Sequence, residues 1–206
     1  MRVSGLREDN ATMNKRLEEK SRSSGPITLG AMDRGFAEEV ARRSGVNYNL
    51  CWQCRTCGSG CPFSHAMDYF PNEVIRLVQL GQKKEVLECS GIWICVGCNT
   101  CCIQCPNLID IPALYDTLRH MTLEEGYTVA EPDILNFHRE VVDSIKRYGR
   151  THKLEIMMRF KLKKRDWLND LSIGAKLLAK GKLELLPSKI KDMKDIRRIF
   201  KRSRKG

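Results

Sequence analysis

The chain has 206 residues, of which 42% are apolar and 30% are charged, and it carries ten cysteines and a formal net charge of +11. This size allows one or two modest domains. No apolar run approaches the roughly 20 residues that a membrane-spanning helix needs, and residues 1–30 hold no apolar segment typical of a signal peptide. We therefore expect a cytoplasmic protein without a membrane span, whose thiols stay reduced.

The charge is distributed unevenly along the chain. From Lys146 to the end there are 21 Lys and Arg residues against 6 Asp and Glu residues. Residues 1–145 hold 15 basic and 19 acidic residues. An acidic part joined to a basic part indicates a partner surface more than a property of the fold.

The N-terminal part contains one predicted helix. Residues 1–30 are predicted to be a disordered N-terminal segment, because they are polar and lack an apolar stripe. A short helix is predicted from Asp33 to Arg43, with Phe36 and Val40 on one face and Gly45 ending it.

From position 51 to position 106 the chain contains the pattern C-x-x-C-x-x-C-x-x-x-C-P twice. The first copy consists of Cys51, Cys54, Cys57, Cys61 and Pro62, and the second of Cys95, Cys98, Cys101, Cys105 and Pro106. This spacing is typical of bacterial-type iron–sulfur proteins, in which three thiolates wrap one corner of a cubane cluster. The fourth Cys, followed by Pro, leaves the loop. The sequence therefore predicts two [4Fe–4S] clusters.

In two-cluster domains the fourth cysteine of each run ligates the other cluster. We therefore assign one cluster to Cys51, Cys54, Cys57 and Cys105, and the other to Cys95, Cys98, Cys101 and Cys61. The alternatives are zinc and disulfides. Structural zinc sites prefer Cys pairs separated by a longer spacer, and disulfides need an oxidising compartment, so both fit this pattern less well.

The segments around the second run are predicted to be helical. The predicted helices are Pro71–Leu80, Lys83–Cys89, Pro112–Glu125, Pro132–Tyr148, Lys153–Lys164 and Trp167–Ala179. Several begin with Pro and end before Gly, and none of the chain shows sustained alternation of apolar and polar residues. We predict an all-α fold: an α-helical ferredoxin domain over residues 31–130 and a helical extension over residues 131–186.

The remaining cysteines and histidines favour ordinary structural roles. Cys89 is predicted to be a small core residue, and Cys102 a buried thiol that competes poorly with Cys101 as a ligand. His65 is predicted to be a packed loop residue and His138 a core or interface residue of its helix, while His120 and His152 show no partner at ligand spacing. No nucleophile–base pair or phosphate-binding loop is present, so we predict no catalytic residue in this chain.

Residues 187–206 form a basic amphipathic tail. Apolar residues occupy one half of its helical wheel and basic residues the other half. We expect this tail to dock into a partner subunit; a solvated tail, peripheral membrane contact and nucleic-acid contact are the alternatives. No aromatic residues alternate with the basic ones, so nucleic acid is not expected as a partner.

These motifs resemble the C-type iron–sulfur protein of heterodisulfide reductase. The resemblance is carried by Asn47–Pro62, Pro71–Arg76 and Trp93–Pro106, and it covers about residues 33–130. It implies a small subunit with two cubane clusters that relays electrons from a flavin-bearing, iron–sulfur A-like subunit to a B-like subunit that reduces the disulfide. The B-like subunits carry paired CCG motifs. Here Ile103 follows the paired cysteines, so the resemblance places the catalytic cluster on a partner.

Two other functions remain as alternatives. The iron–sulfur subunit of a succinate or fumarate type enzyme would need a plant-type [2Fe–2S] cysteine set upstream, and no cysteine precedes Cys51. A nucleic-acid-binding protein would use its clusters structurally and grip phosphate with its basic tail.

Overall fold

The computed structural model describes residues 30, 32–164, 190 and 193–203. All regular structure in these residues is helical, which confirms the predicted all-α class for the described part of the chain. The α-helices are α1 (Arg34–Ser44), α2 (Thr56–Ser59), α3 (Pro71–Gln79), α4 (Lys83–Leu87), α5 (Gly91–Ile94), α6 (Thr100–Gln104), α7 (Ile111–Glu125), α8 (Pro132–Tyr148), α9 (Lys153–Lys164) and α10 (Met193–Ser203). Short 3₁₀ turns cover Tyr48–Leu50 and Ser64–Ala66.

The chain divides into two compact units, Met1–Glu131 and Pro132–Gly206. Most of the predicted disordered N-terminal segment and the predicted helix Trp167–Ala179 lie outside the described residues. None of the described helices is long and apolar enough to cross a membrane.

The core of the first unit lies behind the two cysteine loops. Helix α7 packs against α1, α4, α5 and α6, while α3 packs against α1, α2 and α4. The apolar faces predicted for α3 and α7 are buried, and their members are Val74, Ile75, Leu77, Val78, Leu114, Leu118 and Met121. Burying such side chains stabilises the unit by about 1.5–3 kcal/mol each relative to exposing them.

Local sequence signals set the helix ends as expected. The carboxylate of Asp33 accepts a hydrogen bond from the backbone N–H of Phe36 at 2.9 Å, which caps α1. Gly45 ends α1 and Gly126 ends α7, both in the left-handed region with φ of 67° and 74°. These ends hold because glycine adopts positive φ without steric cost.

Helix α5, which leads into the second cysteine loop, is capped from a distance. Asp68 accepts hydrogen bonds from the backbone N–H groups of Ser90 at 2.7 Å and Gly91 at 3.0 Å. The hydroxyl of Ser90 in turn accepts from the backbone N–H of Asp68 at 3.1 Å. This reciprocal pair fixes the start of α5 against the segment that follows the first loop.

The second unit corrects the prediction for its first helix. The buried residues of α8 are Glu140 and Ser144, while the apolar Phe137 and Val142 are exposed. His138, predicted to be a core or interface residue, is also exposed. Helices α9 and α10 pack against α8, and the face that this packing buries is centred on the polar pair.

Candidate functional site: two cysteine-lined cavities

The structure brings the eight motif cysteines together in two groups of four. The first cavity, of about 350 Å³, contains Cys51, Cys54, Cys57 and Cys105 in its lining. The second cavity, of about 390 Å³, contains Cys61, Cys95, Cys98 and Cys101. Each cavity thus takes three cysteines from one loop and the fourth from the other loop, which is the grouping assigned from the sequence.

The cavities are adjacent and mainly apolar apart from their cysteines. Ile111, which is 2% exposed, lines both of them. Ile75 and Ile109 line the first cavity, while Met67 and Tyr115 line the second. Such walls exclude water and lower the local dielectric constant around whatever the thiolates hold.

The two loops repeat each other in backbone conformation at a separation of 44 positions. Arg55 and Asn99 have positive φ of 65° and 62° and directly precede α2 and α6. Gln53 and Gly97 also have positive φ, 58° and 66°. Helices α2 and α6 pack against each other, so the repeats face one another across the pair of cavities.

The outermost thiols of the loops occupy equivalent environments. Cys54 Sγ lies 3.3 Å from Thr56 Oγ1, and Cys98 Sγ lies 3.4 Å from Thr100 Oγ1. This hydrogen bond is the main reason that the pKa of each of the two thiols is lowered. Both cysteines are exposed, so the hydroxyls favour the thiolate, the form that binds iron, where solvent has access.

The inner thiols are held in the neutral form by burial. Burial is the first cause that raises the pKa of Cys57 to about 11 and of Cys101 to about 12. Burial also raises the pKa of Cys95, against the backbone N–H of Gly97 and the positive charge of Arg119. A coordinating metal deprotonates such a thiol outright, so its charge supplies what this environment withholds.

A [4Fe–4S] cluster fits the donor set of each cavity. Four cysteine sulfurs are the ligand set that this cluster takes. Each cavity also contains a residue with a buried polar atom that lacks a hydrogen-bond partner, Asn72 Oδ1 in the first and Tyr115 Oη in the second. In the described part of the chain no three Cys, His, Asp or Glu side chains stand at single-ion distance. The sulfurs around a cubane bind different irons and need not approach that closely.

Other candidate residues lie away from the cavity walls. Cys89 is 2% exposed and is a core residue, as predicted. Cys102 lines neither cavity and is half-buried, so the prediction of a buried thiol is wrong; its sulfur lies 3.7 Å from Asp110 Oδ1. His65 is exposed in its 3₁₀ turn, contrary to the packed loop residue expected, because the turn leaves its side chain on the surface. His120 is exposed.

Sequence reasoning missed two groups that face the loops. Gln53 donates its side-chain amide to Cys51 Sγ at 3.3 Å. Arg119 donates to the backbone carbonyl of Cys95 at 2.5 Å. No motif marks either position, although an Arg in the middle of an otherwise apolar helix is a signal that could have been followed.

Comparisons with known proteins agree with this geometry. Residues 47–109 match the 4Fe-4S dicluster domain family. The chain is 28% identical to the C-type protein of the H(2):CoB-CoM heterodisulfide,ferredoxin reductase of Methanothermobacter thermautotrophicus, over 49% of this chain and 55% of that protein. It is therefore related to the C-type proteins of heterodisulfide reductases.

Further relatives carry the same kind of name. The second C-type iron-sulfur protein of the CoB--CoM heterodisulfide reductase of Methanocaldococcus jannaschii is 28% identical over 60% of this chain and 67% of that protein. The C-type protein of the Ferredoxin:CoB-CoM heterodisulfide reductase of Methanosarcina acetivorans is 34% identical over 44% and 38%. The chain spans about half the length of the first of these relatives. The dicluster domain and these C-type relatives identify two [4Fe–4S] clusters as the cofactors of this chain.

Proposed function

We propose that this chain is the electron-relay subunit of a cytoplasmic heterodisulfide reductase-type complex. It receives single electrons from a flavin-bearing A-like subunit and passes them to a disulfide-reducing B-like subunit that carries the catalytic cluster. The observation that supports this most is the pair of adjacent cavities, each with four cysteines in its lining, that share Ile111. When bound, a fully thiolate-ligated [4Fe–4S] cluster exchanges one electron and offers no open position to a substrate.

The protein residues provide what a relay needs around the two cavities. Ile111 and the packed α2–α6 pair hold the sites next to each other, which keeps the path between them short. Trp52, 73% exposed, and Val96, 63% exposed, are equivalent residues at the two rims. Exposed apolar residues at both rims suit docking of one partner over each site.

We infer the ligand sets from the lining of the cavities. Cys51, Cys54, Cys57 and Cys105 hold one cluster, and Cys61, Cys95, Cys98 and Cys101 hold the other. The exchange of the fourth ligand is tested by serine substitution. C105S is expected to perturb the same EPR signal as C54S, and C61S the same signal as C98S. C102S, beside Cys101 but outside both cavities, is the matched control and is expected to leave both signals intact.

A result in which C105S perturbs the signal that C98S perturbs would reject the exchange. Each loop would then supply all four ligands of its own cluster.

The relay function itself is tested by anaerobic purification with the native neighbouring proteins. We expect about eight irons per chain, two one-electron EPR-active centres reducible at low potential, and a flavoprotein that co-purifies. About one zinc per chain, or clusters that resist dithionite together with salt-dependent DNA binding, would contradict the proposal.

A further inference from the structure

The structural repeat extends from the loops into the helices that follow them. The ninth residue of α3 is Gln79, which donates its side-chain amide to the carbonyl of Tyr48 at 3.0 Å. The ninth residue of α7 is Arg119, which donates Nε to the carbonyl of Ile92 at 2.5 Å. Tyr48 and Ile92 each stand three positions before the first cysteine of a run. The two donors are therefore equivalent in position, and one is neutral while the other is a cation.

Arg119 is held against the second loop. Its Nη2 donates to the carbonyl of Cys95 at 2.5 Å, and its side chain is 18% exposed. A guanidinium is charged at every accessible pH, and its fork fixes it to both carbonyls at once. The second cavity therefore has a permanent, mostly buried positive charge in the shell behind Cys95.

Nearby exposed charges weaken this asymmetry without removing it. Arg119 Nη1 pairs with Asp116 at 2.8 Å, but the Asp116 side chain is 66% exposed. In the first repeat the exposed Arg76 donates to Gln79 Oε1 at 3.2 Å. Exposed charges are screened by water and salt far more than a buried one, so the charge of Arg119 dominates.

A second difference between the repeats acts in the same direction. The fifth residue of α3 is Ile75, which lines the first cavity, and the fifth residue of α7 is Tyr115, which lines the second. Tyr115 is 1% exposed, and its Oη finds no hydrogen-bond partner among the described residues. A hydroxyl donor thus stands where the first repeat has only a hydrocarbon side chain.

We propose that Arg119 is a potential-setting residue, which raises the reduction potential of the cluster in the second cavity above that of the cluster in the first. The proposal rests on the proposed ligand sets. Reduction adds one negative charge to a cluster, so a fixed cation beside it stabilises the reduced form. With both centres half-filled, the electron resides in the second cavity, and the first cavity faces the electron donor.

The test is an anaerobic redox titration of the cluster-loaded full-length protein followed by EPR. C54S and C98S assign the two signals to the first and second cavity. R119Q places the residue of the first repeat in the second. We expect the electron distribution between the two centres to shift roughly tenfold toward the first cavity, since a unit charge at this range is felt at an effective dielectric constant of about 20. Tenfold corresponds to about 59 mV for a one-electron couple, and the first signal should keep its potential.

Three further variants separate charge from structure. R119K keeps the charge and should retain most of the difference in potential, whereas a role in holding the two carbonyls alone would be lost in it. Q79R adds a cation at the equivalent place and should raise the potential of the first centre alone. Y115F should lower the potential of the second centre by less than R119Q does.

Iron analysis keeps the outcomes distinct. If wild-type protein binds about eight irons per chain and R119Q leaves the second potential unchanged or moves both equally, Arg119 does not set the potential and the relay proposal stands. If wild-type protein binds no iron–sulfur cluster, both proposals fail together. If R119Q loses iron, Q79R decides, and an unchanged first potential in Q79R overturns the inference.

Discussion

At the residue scale, burial gives Cys89 a chemistry unlike that of the motif cysteines. It is 2% exposed, and burial followed by the negative charge of Asp68 raises the pKa of its thiol to about 12. The thiol therefore stays neutral at physiological pH and packs as a small apolar group.

This raised pKa predicts a loss of stability in alkali. In the unfolded chain the Cys89 thiol ionises near pH 8.5, whereas in the folded chain it keeps its proton up to about pH 12. The contribution of Cys89 to stability is therefore complete below about pH 8.5 and is lost as pH rises toward 12, at roughly 1 kcal/mol per pH unit. Denaturant unfolding of wild-type and C89A protein at pH 8 and pH 10 measures it. The free energy of unfolding should fall further for wild type; parallel losses would contradict the prediction.

How much of the site the sequence predicts depends on how local each signal is. The cysteine spacing predicts the grouping found in the two cavities, because the motif itself encodes the loop. The exposure of His138 was not predictable from its place on the apolar stripe of α8, because the face that α9 and α10 cover is set by tertiary packing. The equivalence of Gln79 and Arg119 was likewise hidden, because it depends on where α3 and α7 begin relative to the loops.

At the element scale, two glycines with the same backbone conformation have different surroundings. Gly45 and Gly81 have φ of 67° and 63°. A Cβ on Gly45 would meet nothing within 4 Å, whereas a Cβ on Gly81 would lie 2.5 Å from the backbone oxygen of Asp33. The connection between α3 and α4 thus passes so close to the N-cap of α1 that only glycine fits.

Substitution of these glycines separates strain from steric clash. G45A is expected to destabilise the protein by about 1 kcal/mol through the left-handed backbone alone. G81A adds the clash with Asp33, so we expect a loss of about 3 kcal/mol or more. Thermal unfolding of both variants under anaerobic conditions measures the difference, and equal losses would show that the segment before α1 moves freely.

The remaining element ends were predictable because each depends on a signal a few residues away. Asp33 before α1 and the glycines after α1 and α7 are examples. The cap of α5 was not, since Asp68 and Ser90 are separated by 22 positions and nothing near Ser90 indicates its partner.

At the scale of the whole molecule, all residues that line the two cysteine cavities belong to the first unit. The strongly basic part of the chain begins at Lys146, in the second unit. Cofactor binding and positive charge are therefore carried by different parts of the chain.

This division predicts that the first unit retains the cofactors without the second. A chain truncated after Glu131 is expected to bind about eight irons and to show the same EPR signals as the full chain. Iron analysis and EPR of the two proteins, purified in parallel, make the comparison. Loss of one or both signals on truncation would show that the second unit is needed to form the sites.

The exchange of the fourth cysteine between the cavities has a consequence for biogenesis. Neither loop surrounds a cavity with four cysteines alone, because Cys61 reaches the wall built by the second loop and Cys105 the wall built by the first. On the ribosome, the early half of the domain must therefore wait with unmet thiols until the later half has emerged. Metallation then becomes a single concerted event, and a cell short of iron would accumulate empty chains in preference to half-filled ones.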